Sequence, residues 1–533
     1  MPIADRIPAF PDLICNRMPM NLPTTAFLGT MLVPALSAAA SEPGSSATQT
    51  PRHPNIIVIL ADDLGYGDVS AYGSTTISTP NIDRLALGGI RFTNGYATSA
   101  TSTPSRYALM TGLYPWRNRD AQILPGDAPL IVPTDGFTLP RMMQENGYVT
   151  GAIGKWHLGM GRGAIDWNTT IRPGAREIGF DYSCIIAATN DRVPTVYVEN
   201  GDVVGLDPED PIEVSYRHNF EGEPTALTHP ELLKMQWSHG HNNSIVNGIP
   251  RIGFMRGGTR ARWIDEEMAG YFVERVETFI AAHSDEPFFF YYGLHEPHVP
   301  RAPHSRFVGT TGMGPRGDAI AEADWCVGEL LRCLEEHDLL ENTLIVFSSD
   351  NGPVLDDGYK DGAAELVGSH SPTGGLRGGK YSLFDAGTHV PLFVYWKGTV
   401  HPATSDALVS LLDLPASLGA LIGATLPEGL DSRDLSATLL GRSDQGRDEL
   451  VLEASQRLAI RRGDWVLIPP YRGAARNITG NELGNLPTYG LFNLKEDPWQ
   501  LENRAAEDPD RVSELERALR LTAGDFYHPS LPQ

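Results

Sequence analysis

Basic residues, cysteines and long apolar runs are all scarce in this 533-residue chain. Forty-two Lys and Arg stand against 66 Asp and Glu, a formal charge of −24. That deficit excludes general binding to nucleic acid or to an anionic membrane, since neither polyanion would meet the basic face it requires. It leaves room for a small anionic substrate in a locally positive pocket. Four cysteines exclude a disulfide framework. Cys15 falls in a leader-like segment, Cys326 and Cys333 lie too far apart along a helical pattern to bridge, and Cys184 has no metal-type spacing around it. Beyond the leader, no stretch reaches about 18 uninterrupted apolar residues, so no membrane span is predicted. Internal repeats and low-complexity tracts are also missing.

What is present is a globular composition, 41% hydrophobic against 20% charged, which permits a sizeable core and excludes disorder of the whole. The length suits a large α/β domain with a smaller companion. Residues 22–40 form an apolar run ending in Ala38, Ala39 and Ala40, a small-residue cleavage pattern, before a loop-like stretch. The pattern predicts a leader over 1–40, a linker over 41–51 and an exported protein, periplasmic or secreted.

Four apolar runs share one design. Residues 55–61 are a continuous Ile/Val/Leu run that ends in Asp62 and Asp63. Residues 148–154 run into Lys155 and His157, 287–294 into His295 and His298, and 342–349 into Asp350 and Asn351. Uninterrupted runs of this length read as strands buried on both faces, and in open parallel sheets ligands sit beyond the carboxyl ends of the strands. Four such runs delivering polar groups at that end describe one site. Between them, Asp318 to Leu339 carries a helical apolar stripe, and Ile264, Met268, Phe272, Val276 and Phe279 predict another. Residues 185–260 lack periodicity, as a pocket-shaping excursion would. After Asp431, short alternating runs and a closing helix over 509–522 predict a small antiparallel sheet packed by one helix. The boundaries are thus a catalytic domain over 52–430 and an α+β subdomain over 431–533.

Ser102 opens a helix, with Pro104 in its first turn and Gly112 at its far end, where free N–H groups and the dipole favour an anion. Taken alone it is an N-cap serine. Its context, Ser102, Pro104, Arg106, Thr111 and Gly112, resembles the signature of the formylglycine-dependent sulfatases. The likeness runs from about residue 52 to about 510 through Asp62 and Asp63, 154–159, the turn at 295–298, 349–352 and Leu376 to Lys380, in the family's order. It implies an alkaline-phosphatase-like fold, a large mixed sheet flanked by helices with a smaller C-terminal antiparallel sheet plus helix.

The resemblance also implies roles. Asp62, Asp63, Asp350 and Asn351, together with Ser102, match the ligands of one calcium ion, an all-oxygen set suited to a hard cation. Ser102 matches the residue oxidised to formylglycine (3-oxoalanine), whose hydrated aldehyde is the nucleophile and can expel sulfate afterwards. Arg106 is expected to brace that side chain, Lys155 and Lys380 to hold sulfate oxygens, His157 to act as base and His298 to protonate the leaving sugar oxygen, with His295 its rival. Arg301 and Asp357, beside these motifs, are candidate sugar contacts, as are His304, Arg306, Tyr359 and Lys360. A serine in place of the commoner cysteine implies a bacterial enzyme matured by an oxygen-independent radical enzyme. The substrate implied is a sulfated mono- or oligosaccharide of galactose or N-acetylgalactosamine type. Two other classes fit the same residues: a phosphomonoester or phosphonate hydrolase using unmodified Ser102, and a non-catalytic protein binding sulfated glycans. A positive pocket in an acidic protein favours short or terminal sulfated sugars over the middle of a dense polyanion.

Mass spectrometry of active protein is expected to find the Ser102 peptide lighter by about two hydrogen masses. An active preparation with intact serine would overturn the formylglycine assignment.

Overall fold

A computed structural model describes residues 53–527; the leader, the linker and Cys15 lie outside them. Ten strands form one sheet. In chain order they are β1 (Asn55–Ala61), β2 (Ile90–Phe92), β3 (Val149–Lys155), β4 (Tyr182–Ile186), β5 (Tyr197–Glu199), β6 (Asp202–Val203), β7 (Phe288–Gly293), β8 (Thr343–Ser349), β9 (Leu392–Tyr395) and β10 (Ala403–Ser405). Their spatial order is β10-β2-β9-β8-β1-β7-β3-β4-β5-β6. The strands β8, β1, β7, β3 and β4 are mutually parallel, and antiparallel pairs at β8-β9, β9-β2, β4-β5 and β5-β6 make the sheet mixed. The four apolar runs read from the sequence are therefore four adjacent parallel strands.

Strand pleating sorts β1 between two cores, Ile56, Val58 and Leu60 on one face and Ile57, Ile59 and Ala61 on the other. The first face packs α2 (Ser102–Thr111) and α3 (Leu139–Glu145); the second packs α1 (Pro80–Gly88), α4 (Met268–Ala282) and α5 (Gly314–Glu336). Both faces are covered, which is why these strands are apolar throughout and do not alternate. The α4 stripe differs from expectation at one end. Ile264 lies before the helix and is 55% exposed; three consecutive acidic residues, Asp265 to Glu267, form a separate 3-10 turn there.

Four antiparallel strands, β11 (Glu449–Ala454), β12 (Arg457–Arg462), β13 (Trp465–Ile468) and β14 (Gly490–Asn493), form the small C-terminal sheet, covered by α6 (Pro509–Ala523). Glu453 of β11 ladders onto the segment leading into α2: its N–H donates to the Thr98 carbonyl and its carbonyl accepts from Ala100 N–H. Among the described residues no helix is long and apolar enough to cross a membrane.

The turn after β1 is pinned by a buried pair. Arg316, in the first turn of α5, grips Asp68 through both terminal nitrogens at 2.8 and 2.6 Å, and His370 Nε2 lies 2.8 Å from the same carboxylate. Replacing Arg316→Met strands that carboxylate in the interior, with an expected loss of about 3–5 kcal/mol in stability. Chemical denaturation measures it, and an unchanged midpoint would contradict the clamp.

Candidate active site

Because β1, β3, β7 and β8 run parallel, the residues that follow them emerge on one side of the sheet. Helix α2 brings its first residue to the same place. Its N-cap, Thr101, is extended and makes no side-chain cap, and Gly112 ends the helix at φ +67°. The Ser102 hydroxyl faces the site: Oγ lies 3.4 Å from Asp62 Oδ1 and 3.3 Å from Asn351 Oδ1, and it accepts from Lys155 Nζ at 2.8 Å. Lys155, the last residue of β3, also pairs with Asp62 Oδ1 at 2.6 Å and Asp350 Oδ2 at 3.4 Å.

One turn into α2, fully buried Arg106 donates Nε and Nη2 to Asp350 Oδ2 at 2.9 and 2.8 Å, and Nη1 to the Lys155 carbonyl and the Tyr291 hydroxyl. On the far side, Lys380 Nζ bridges Asp63 Oδ2 at 2.8 Å and Asp357 Oδ2 at 2.7 Å. Asn351 Nδ2 donates to Asp63 Oδ1 at 2.7 Å. Asp63 and His157 hold φ of +63° and +57°, a left-handed backbone that costs non-glycine residues of order 1–3 kcal/mol and is characteristic of functional sites.

The carboxylates are not equivalent. Burial pushes Asp62 up to about 8; Lys155 opposes this, while Asp350 and Asp63 add to it. Asp350 is equally buried, but Lys155 and the Arg106 fork outweigh burial and drive it below the ordinary carboxylate range. Burial works against the Lys380 ammonium, yet Asp357 and Asp63 hold its pKa well above the usual lysine value.

The histidines separate by what they face. His298 Nδ1 lies 2.6 Å from its neighbour's carbonyl at Val299, which leaves Nε2 toward Asp63 Oδ2 at 3.9 Å. Burial and then Lys380 lower His298 to about 4. His295 turns the other way, its Nδ1 3.3 Å from Glu296, and burial lowers it to about 3. His157 Nε2 lies 3.0 Å from the Leu124 carbonyl, while buried Nδ1 has no partner. Burial, Lys155 and Arg192 hold its pKa far below the ordinary histidine value.

Two candidate sugar contacts are buried and bonded within the protein. Arg301 is 2% exposed, and its donors go to the carbonyls of Pro297, Leu355 and Val354 and to Asp361 Oδ2. Four of its five N–H groups are spent on tying loops together. Tyr359 is likewise buried, its hydroxyl donated to the Pro250 carbonyl. Asp357 reaches the site, but by holding Lys380 and the Tyr381 hydroxyl.

The structure also adds residues from the unpatterned 185–260 segment. Asp191 is buried between Arg192 Nη1 at 2.7 Å and His241 Nε2 at 2.8 Å. Burial raises its pKa, but Arg192, His241 and His298 overcome this and hold it far below the carboxylate range. An Asp-Arg dipeptide and a histidine fifty positions on carry no local signal; only the fold brings them together.

The donor set suits a hard divalent cation. Asp62, Asp63 and His298 bring ligand-type atoms within 4.8 Å of one another, Asp350 and Asn351 adjoin them, and Asp62 Oδ2 is buried with no hydrogen-bond partner. An orphaned carboxylate oxygen among three crowded carboxylates is what a cation would satisfy.

Comparison with known proteins identifies the family. The sulfatase family model matches residues 54–424. An N-acetylgalactosamine-6-O-sulfatase of Bacteroides thetaiotaomicron is 50% identical over 476 residues, covering 88% of this chain and 93% of that protein. Arylsulfatase A of Homo sapiens is 33% identical over 408 residues, covering 75% of this chain and 70% of that one. A solved structure from work on the metabolism of multiple glycosaminoglycans by Bacteroides thetaiotaomicron superposes with a TM-score of 0.87 at 49% identity, covering 88% of this chain and 99% of that one.

With its folded pKa raised to about 8, neutral Asp62 contributes stability at low pH that is lost as pH rises through that value. A divalent cation added to chelator-treated protein is therefore expected to raise Tm, and by more near pH 8 than near pH 5. Equal shifts at both, or none, would contradict a cation site built on Asp62.

Proposed function

The chain belongs to the sulfatase family, and from that premise we propose that it removes sulfate from carbon 6 of N-acetylgalactosamine or galactose units, at chain ends or in short oligosaccharides. It is a sulfuric ester hydrolase acting on sulfated carbohydrate. The sugar and carbon rest on the substrate named for the Bacteroides relative. What carries the mechanistic reading is the 2.8 Å contact of the Lys155 ammonium with the Ser102 hydroxyl, at the first turn of α2 and between Asp62 and Asn351.

In this reading Asp62, Asp63, Asp350 and Asn351 hold calcium, with Ser102 beside it. Bound there, with Ser102 matured to formylglycine by a radical maturase, calcium and the aldehyde hydrate supply charge neutralisation and a nucleophile that can release sulfate. Lys155 and Lys380 approach from opposite sides of the carboxylates and stabilise the charge that develops on sulfate oxygens. Arg106 fixes Asp350 and, through the Lys155 carbonyl, the end of β3. It is a positioning residue. His157 donates Nε2–H to Leu124, so its unpartnered Nδ1 is the lone pair available to take a proton from the residue at 102.

The departing sugar oxygen takes its proton at the other end. His298 is neutral near pH 7 and donates Nδ1–H to Val299, so Nε2 is the face it shares with charged Lys380. Nε2 then carries no proton, so we assign proton delivery to the Lys380 ammonium, which meets His298 Nε2 at Asp63 Oδ2, with Asp357 and the Tyr381 hydroxyl fixing the ammonium. Asp191, Arg192 and His241 form the adjoining polar wall for the sugar. The leader pattern supports export to the periplasm or beyond.

Coexpression with a serine-type maturase and assay on defined sulfated sugars tests the reading. Matured protein is expected to prefer the 6-O-sulfated over the 4-O-sulfated isomer of N-acetylgalactosamine, and Lys155→Ala to lower kcat by about 10²–10³-fold. Strong phosphatase with negligible sulfatase activity would overturn it.

A further inference from the structure

A second cavity lies apart from the cluster around Ser102. A pocket of about 510 Å³ opens between the segment after α2 and the small C-terminal sheet, within the range of roughly 300–1,000 Å³ usual for small-ligand sites. None of the residues so far given a catalytic, metal or sulfate-holding role lines it. Its walls are unlike a packing defect. Trp116, stacked on Tyr114 with ring centroids 4.0 Å apart, and Tyr471 supply flat apolar faces. Gln122 and Gln456 supply amides, and Arg119 and Arg457 supply charge.

Neither guanidinium is neutralised by an ion pair. Arg119 is exposed and has no acidic partner among the described residues. Arg457 is partly buried and spends its donors on the carbonyls of Ala454, Leu483 and Tyr381 and on the Asn485 amide, all uncharged. The one carboxylate in the lining, Glu453, is 4% exposed and is occupied by the Ser99 hydroxyl and the Gln456 N–H. In a chain of −24 the exposed Arg119 stands beside aromatic rings, the combination that holds an anionic sugar: ring faces for the pyranose, amides for hydroxyls and the Arg119 guanidinium for sulfate, with Arg457, facing Glu453, as a fixed charge in the wall.

A strained turn forms part of the rim. Ser455 and Gln456, which join β11 to β12, have φ of +48° and +68°, a two-residue hairpin conformation that Asn-Gly adopts without strain. Keeping a long amide side chain there, against backbone preference, presents it to the pocket. Two connections tie the pocket to the reacting groups. Its wall at Gln122 continues to Leu124, whose carbonyl holds His157. Arg457 donates to the carbonyl of Tyr381, whose hydroxyl holds Asp357 and thereby Lys380.

We propose that this pocket is an accessory binding site for a second, sulfated sugar unit of the same oligosaccharide whose terminal sulfate is being cleaved. The proposal rests on the carbohydrate reading above and extends it: affinity for an oligosaccharide arises partly away from the scissile sulfate.

The test compares matured wild type with Arg119→Glu, an exposed substitution that disturbs no internal contact. The substrates are N-acetylgalactosamine 6-sulfate and a tetrasaccharide ending in that unit with further sulfates along it. Arg119→Glu is expected to raise KM for the tetrasaccharide about tenfold while leaving kcat and the monosaccharide KM within about twofold. Removing the non-terminal sulfates should erase the difference. Equal effects on both substrates, or no effect on either, would overturn the proposal. Calorimetry of the tetrasaccharide with unmatured protein, which has no turnover, separates the two readings. If neither compound is hydrolysed by matured wild type, the substrate reading fails, and tetrasaccharide binding weakened by Arg119→Glu still supports the pocket whereas unchanged binding overturns it.

Discussion

Three carboxylates buried side by side cannot persist without compensation, and this molecule is arranged around that constraint. Asp62 and Asp63 leave β1 as Asp350 leaves β8, and adjacent parallel pairing forces them together. Their repulsion in a low-dielectric interior is met by Lys155 at the end of β3, Arg106 one turn into α2 and Lys380 from a loop. Each cation is delivered by an element whose position is fixed elsewhere, the strands by their two-faced cores and the helix by Tyr107, Leu109 and Met110 beneath it. The balance is incomplete, as the unpartnered Asp62 Oδ2 records. That oxygen is the atom a divalent cation would satisfy.

The same balance explains how an acidic protein handles an acidic substrate. The net charge belongs to the outer surface, while the ammonium and guanidinium groups that matter are turned inward or stand at pocket rims. In the proposed reading sulfate at the Ser102 site meets Lys155 and Lys380, and a further sulfate in the accessory pocket meets Arg119. A dense polyanion lying across the surface would meet mainly carboxylates. The proposed selectivity for short or terminal sugars rests on where the charges sit.

Much of this could be read from the chain because the responsible residues announce themselves locally. Ile56 to Ala61 are apolar without alternation because both faces are covered, and that pattern alone identifies an internal parallel strand. Pro104 and Gly112 bracket α2 for reasons of backbone geometry, which locates Ser102 at a helix start. Other features were hidden because they depend on pairing across long distances. Arg301 is a candidate sugar contact by its place beside the 295–298 turn, but its internal bonds to Asp361 and three carbonyls are made largely by residues more than fifty positions away. Asp191, Arg192 and His241 belong to a stretch with no periodicity, where side-chain destinations are set by tertiary contacts. Ile264 fitted the α4 stripe by spacing, yet the acidic turn after it starts the helix four residues later.

The central claim is that lysines stabilise charge on the sulfate while the Lys380 ammonium protonates the sugar oxygen, so the bond broken joins sulfur to that oxygen. Hydrolysis by matured enzyme in water enriched in oxygen-18 tests this directly. The account predicts the heavy isotope in the released sulfate and none in the new sugar hydroxyl; label in the sugar would contradict it.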